Sequence, residues 1–307
     1  MSDSRQELEV VSSQAGTLAD DLESARPRQL VYVDRKGEVQ SARRYRALNR
    51  LGLGLIVSIG VGATVAYGLV LGAGGVAIAS LAVALGSLPW WQYRRLSRGV
   101  KHLVKDELEQ AEQCFLRVSK GFLVPKQVRA LAMQNLGAVE IRRGNFETAL
   151  GRQRQARALF SKVWRKPIFS HMADISVVHT LIELGHLGEA SALLLEVKGR
   201  IPEGKYLRIQ LWSVELYLAF AEGEHTFSDD ELYKRSRESL QISSAVGLLL
   251  LLSWAYWESG DADEAGLLMA QALEREGIAL VERTMPRLWT WVSEHTELAD
   301  SGADELD

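Results

Sequence analysis

The sequence predicts an all-α protein in two parts: a two-helix transmembrane hairpin, then a run of recurring helix pairs. Three observations predict it. Leu51 to Trp91 contains no Asp, Glu, Lys, Arg or His. A charge at the centre of a spanning helix costs about 2.5 to 3.5 kcal/mol on insertion scales, so a run this long and this clean reads as membrane-embedded. Arginines stand on both sides of the run. Beyond it prolines are few, apolar residues fall three and four apart as on a helix face, and the same turn and small-residue positions return.

Taken in order, residues 1–25 carry Asp3, Glu7, Glu9, Asp20, Asp21 and Glu23 against Arg5 alone, with few large apolar side chains. Such a stretch buries too little surface to order itself and is expected to be disordered. In residues 26–50 the balance turns basic, with only Asp34 and Glu38 opposing. Within this segment Leu30 to Val33, the turn Asp34-Arg35-Lys36-Gly37, and Glu38-Val39 read as a small β-hairpin. Two strands alone are marginal in water, so the segment's expected role is a topogenic, lipid-facing anchor.

Residues 51–93 form the predicted membrane hairpin. Leu51 to Leu71 covers ~31 Å at the helical rise, which matches a hydrocarbon core of about 30 Å. Gly72, Ala73, Gly74 and Gly75 supply the reversal, and the arm from Val76 to Trp91 spans roughly 24 Å, short but usable with local thinning. Arg43, Arg44, Arg46 and Arg50 precede the run and Arg94, Arg95, Arg98 and Lys101 follow it. The positive-inside rule then puts both ends in the cytoplasm and requires an even number of spans. Tyr45, Trp90, Trp91 and Tyr93 suit the aromatic belt, and small residues such as Gly60, Gly62, Ala77 and Ala84 allow close helix approach and a homo-oligomer. Gly72, Gly74 and Ala77 spell a dinucleotide-binding pattern, yet no short strand precedes them and Arg94, Arg95 and Arg98 stand where the acidic residue belongs.

Composition narrows the class further. The net charge is -3, and the single cysteine, Cys114, excludes an intrachain disulfide, which suits a reducing cytoplasm; it is expected to pack in a helix. The acidic N-terminus is not a cleavable signal peptide, so the hairpin is expected to be the insertion signal. Arginine outnumbers lysine, and Ala, Gly and Leu are abundant, as in a GC-rich bacterial genome. The expected location is therefore a bacterial inner membrane with both termini cytoplasmic.

Residues 94–292 carry the repeats. LAMQNLGAVEIRRGNFETALGRQRQARALF places Leu136-Gly137 in a first helix, Gly144-Asn145-Phe146 at a turn, and Ala149 and Ala156 in a second helix. Equivalent positions return at Gly185, Leu187, Ala190 and Pro202, and at Gly260, Ala262, Ala265, Met269 and Ala272. A copy around Gly223 has its second helix interrupted, with Ser228 to Glu231 as a capping-box restart, and a fainter first copy supplies Ala111 and Phe115. The turn glycines lie 41, 38 and 37 residues apart.

This pattern resembles the tetratricopeptide repeat (TPR) over about residues 95 to 280, in a degenerate form longer than the usual ~34-residue unit. The resemblance implies an α-solenoid of about four to five helix pairs whose concave face, lined by the first helices, holds a peptide or a partner helix. The groove residues it implies are Gln134, Asn135 and Arg142, with Asp174 in the next unit. Of the family's clamp for a terminal carboxylate only Gln134 and Asn135 stand in place, and the lysines are missing. Pro286 to Leu298, with Trp289 and Trp291, is expected to cap the open end, and residues 293–307 to form an acidic, frayed tail.

No catalytic constellation survives inspection. Six histidines include no pair with metal-helix spacing, Asp261, Asp263 and Glu264 lack the remainder of a calcium loop, and neither a nucleophile elbow nor a phosphate loop is present. The three acids are expected to be N-terminal charges of the following helix. An enzyme, a cofactor and a metal site are not expected. From Arg142 to Lys166 basic residues dominate, and Arg152, Arg154, Arg157, Lys162, Arg165 and Lys166 form a candidate contact for anionic headgroups or an acidic segment, against the simpler reading of a solvated helix face. Nucleic acid is not expected, since aromatics do not interleave with these cations and the chain is acidic overall. The expected function is a membrane-anchored scaffold that binds a protein or peptide partner on its helical surface and contacts the bilayer through residues 51–93. The alternative is a hairpin that assembles or remodels membranes, with the repeats as its regulatory part.

Overall fold

The computed structural model describes residues 91–163, 168–201, 204–242 and 244–298, together with the strands β1 (Tyr32–Val33) and β2 (Val39–Gln40). The two strands pair antiparallel, with Tyr32 opposite Gln40 and Val33 opposite Val39, a register that leaves residues 34–38 between them, one more than the four-residue turn read from the sequence. The predicted membrane hairpin up to residue 90, the acidic N-terminus, Arg165, Lys166 and the last nine residues lie outside the described residues. No helix among the described residues is long and apolar enough to cross a membrane.

From residue 91 onward the described residues are all-α. Helix α1 covers residues 91–104. It is followed by α2 (Leu108–Ser119), α3 (Lys126–Arg142), α4 (Phe146–Phe160), α5 (Ile168–Glu183), α6 (Leu187–Lys198), α7 (Lys205–Glu222), α8 (Asp229–Leu240), α9 (Val246–Glu258), α10 (Ala262–Leu273), α11 (Ile278–Thr284) and α12 (Pro286–Glu294). Successive helices pack on one another from α2 to α7, and α5 also meets α7, as α7 meets α9.

The turns explain the pairing. Gly144, Gly185, Gly223 and Gly260 have φ of 77°, 76°, 82° and 84°, the left-handed region that glycine enters without a Cβ penalty. Asp106, 38 residues before Gly144, takes φ 64° at the turn between α1 and α2. The first unit therefore uses an aspartate where the others use glycine, which is why its sequence signal is faint. Inside the pairs other than α7/α8 small residues stand at the helix contact. A Cβ on Gly137 would stand 2.8 Å from Gln153 Cγ and 3.3 Å from the Ala149 carbonyl, and one on Gly99 would stand 2.5 Å from the Phe115 ring. At the matching place in the last pair Ser253 donates a hydrogen bond to the Ala265 carbonyl at 2.7 Å. Ala111, Ala149, Ala190 and Ala265 are fully buried at these contacts.

The core has two parts that meet at α4 and α5. One gathers Leu96, Phe115, Val128, Leu136, Ala156 and Phe160; the other runs from Leu150 through Leu181, Leu216 and Leu249 to Val292. Helix α9, VGLLLLLSWAYWE, is buried nearly all round, as expected of a helix covered on both sides. Asp261 caps α10 by accepting from the Glu264 amide at 3.1 Å, so the acidic cluster there serves the helix start. Cys114 is a half-buried free thiol in α2.

The end of the chain departs from the sequence expectation. Met285 breaks Pro286 to Leu298 from α11, and the two last helices turn back onto the first helices of the pairs. Helix α11 packs on α3 and α9, and α12 on α9. Val281, Met285, Leu288 and Val292 are buried there, with the Met285 sulfur seated over Gly247. Asp106 ties this closure down, accepting from Arg283 of α11 at 2.8 Å and from Arg142 of α3 at 3.4 Å.

Candidate functional site

The four groove residues read from the sequence occupy α3 and α5, and the fold engages most of them. Asn135 donates to the Leu131 carbonyl one turn back at 2.7 Å. Arg142 donates to the Leu103 carbonyl and to Asp106, and burial lowers its pKa from the usual guanidinium value. Asp174, in α5, pairs with Arg157 of α4 at 2.8 Å. Gln134 is half-buried, and its Oε1 accepts no hydrogen bond among the described residues. Gln134, Asn135 and Arg142 share one helix, but Asp174 faces a different cavity, so the set does not converge on one point.

The inner surface of the first helices holds a polar cluster that sequence spacing did not reveal. Tyr217, fully buried in α7, donates its hydroxyl to Glu183 at the end of α5. Burial pushes the Glu183 carboxyl up to about 7, against the hydrogen bond from Tyr217 and the charge of Arg287 on α12, which both favour ionisation. The Arg287 guanidinium also lies 3.2 Å from where a Cβ on Gly185 would stand. The ring of His179 lies 5.3 Å from that of Tyr217, and the crowding protein pulls its pKa down to about 4. His179 and Glu183 on α5 thus meet Tyr217, 34 residues beyond Glu183, and Arg287, 70 residues further on, a convergence that no local pattern could signal.

Four cations of the basic stretch, Arg152, Arg154, Arg157 and Lys162, divide between two cavities. The first, about 620 Å³ between α4, α5 and α6, is lined by Arg154, Arg157, His171, Asp174 and Arg200. Its cations are matched: Arg154 bonds Glu189 at 2.5 Å, Arg157 reaches Asp174 and Glu196, and Arg200 bonds Glu196 at 2.7 Å. The second, about 420 Å³ between α2, α3 and α4, is lined by the apolar Leu116, Met133, Ala158 and Leu159 and by Lys120, Arg129, Arg152 and Lys162. No lining residue of this second cavity is acidic. The six cations singled out in the sequence therefore do not act as one face. Arg154 and Arg157 are held by carboxylates, Arg152 and Lys162 line the second cavity, and Arg165 and Lys166 lie outside the described residues.

A further polar network fills the space between α7 and α8. Arg235, only 3% exposed, pairs with Glu215 at 2.9 Å and with Glu231, and its guanidinium lies over the rings of Phe227 at 4.3 Å and Trp212 at 5.5 Å. Lys198 of α6 reaches the other Glu215 oxygen at 2.7 Å. Among the described residues no group of three or more His, Cys, Asp or Glu side chains is placed to hold a metal ion.

A scan of family models, a search of curated proteins and a search of solved structures each return no match to this chain.

Proposed function

We propose that this chain is a membrane-anchored, TPR-like helical scaffold, held by the hairpin of residues 51–93 and binding a protein or peptide partner on its cytoplasmic helical surface. The observation that carries this reading is the recurring pair geometry. Left-handed turns at residues 106, 144, 185, 223 and 260 join successive helices, and in all but the pair at Gly223 small residues stand at the contact, a build suited to presenting surface. Gln134 on α3 and the neighbouring Asn135 remain the candidate contacts. A partner reaching further along the first helices meets α11 and α12 in place, so the proposed groove is shorter than a fully open stack would offer.

The test is site-specific photo-crosslinking of the full chain in native membranes, with the photoreactive residue at Gln134 or Asn135 and a control at Lys234 on α8. A discrete adduct to a different protein from the α3 positions, absent at the control, supports the scaffold. Adducts only between copies of this chain favour hairpin-driven assembly, and no adduct at α3 removes the proposed groove. Topology is checked by labelling single cysteines at Ala73 and Ser41 in a Cys114→Ser background: the hairpin requires labelling of the two from opposite sides.

A further inference from the structure

We propose that the cavity between α2, α3 and α4 seats the headgroup of an anionic lipid at the bilayer surface, with Phe122 and Leu123 inserted beside it. This deepens the membrane-anchor reading and rests on it.

The charge of the site comes first. Lys120, Arg129, Arg152 and Lys162 stand around one opening, and no ion pair engages any of them among the described residues. The neighbouring cavity holds three arginines, Arg154, Arg157 and Arg200, and there carboxylates from α5 and α6 answer them. Unanswered like charges around one opening repel each other and draw in an anion.

Beside the cations the lining is apolar, with Leu116, Met133, Ala158 and Leu159. A free inorganic anion would find no use for that apolar lining, whereas the glycerol backbone and upper acyl carbons attached to a phosphate would cover it.

The loop that borders the site completes the match. Arg129 donates to the Gly121 carbonyl at 3.1 Å, which fixes the start of the loop to the cavity lining. The next two residues are Phe122, 85% exposed, and Leu123, 54% exposed with φ 55°. A bulky residue in the left-handed region is strained, and the arrangement persists because Val124 is buried immediately behind it. An aromatic and an aliphatic side chain held out at a loop tip, with cations behind them, is the composition of a membrane-interface contact. Tethering by the hairpin would keep this face at high effective concentration near lipid, so a weak site suffices.

The test uses the full chain reconstituted in vesicles, in a Cys114→Ser background with Phe122→Cys carrying an environment-sensitive fluorophore. Vesicles of phosphatidylcholine alone are compared with vesicles that also contain phosphatidylglycerol. Anionic lipid is expected to blue-shift the emission and protect the probe from aqueous iodide. Arg152→Gln with Lys162→Gln is expected to lower the ratio of docked to undocked chain by about thirtyfold, the combined effect of two charges at an anionic surface. Lys234→Gln is expected to leave it unchanged, with circular dichroism verifying that every variant is folded. A probe that stays aqueous on anionic vesicles, while carbonate washing leaves the chain embedded, overturns the proposal and spares the anchor reading. Release by carbonate sinks the anchor reading itself. Protection that ignores lipid charge, or that occurs in lipid-free detergent, overturns the headgroup assignment, the latter in favour of a protein segment.

Discussion

The pair α3/α4 and the pair α7/α8 solve the same packing problem by opposite means. In α3/α4 the turn is Gly144-Asn145, and Gly137 lets the two helices close until the Ala149 backbone stands where a Cβ would go. In α7/α8 the turn begins with the same left-handed glycine, Gly223, but four more residues precede the helix cap, Ser228. The fully buried Leu216 and Leu232 replace the small pair, and α8 leans more on α9 than on α7. Arg235, Glu215, Phe227 and Trp212 fill the remaining space. One pair closes on a glycine; the other is held by a buried charge network. The lesson is that a helix pair can do without small contact residues and stay packed against its neighbours, provided the space is refilled.

The largest expected effect breaks the second arrangement. Arg235→Ala leaves Glu215 buried with only Lys198 opposite it, and is expected to lower stability by about 3 to 5 kcal/mol, measured by urea unfolding of the full chain in mild detergent. Replacing both partners, Arg235→Met with Glu215→Leu, should recover most of that loss. A single variant within about 1 kcal/mol of the parent would mean that the network does not hold the pair.

Next comes the other side of α7, where Tyr217 meets Glu183. The Glu183 carboxyl titrates at about 7 in the fold against 4.5 ordinarily, because burial disfavours its charged form. A raised folded pKa contributes stability that is fully present below 4.5 and is lost as the pH rises through 7. The swing is on the order of 3 kcal/mol. Glu183→Gln should flatten that part of the stability profile between pH 4.5 and 8, and an unchanged slope would assign the dependence to other groups.

The close pair is tested by overpacking. Gly137→Val meets Gln153, whose side chain can shift, and the Ala149 backbone, which cannot, and is expected to cost about 1 to 3 kcal/mol. The smallest effects concern the turns. A Cβ on Gly144 would touch nothing within 4 Å, so Gly144→Ala isolates the backbone term, about 1 to 2 kcal/mol, and Gly144→Asn should cost less. If Gly223→Ala proved far milder than Gly144→Ala, the longer turn of α7/α8 would be shown to relax where the tight one does not.

Much of the architecture was legible in the chain. The turn glycines could be placed because left-handed backbone excludes most other residues, and Ala149, Ala190 and Ala265 because close helices exclude large ones. Asp106 escaped that logic: aspartate tolerates the left-handed region but is also common on any surface. The candidate sites were less legible. Arg154 and Arg157 read as free cations beside Arg152, since their acidic partners lie 35, 17 and 39 residues away on α5 and α6.

The sequence by itself determined the helix pairs, their turns and the apolar run that sets residues 51–91 apart, because each depends on local sterics or on the hydrophobicity of one segment. Only the tertiary structure decided which cations stay unanswered, what refills the α7/α8 gap, and that the last helices fold back onto α3 and α9 instead of capping the end. Those outcomes turn on side chains distant in sequence meeting in a low-dielectric interior, where charge and volume must balance across helices.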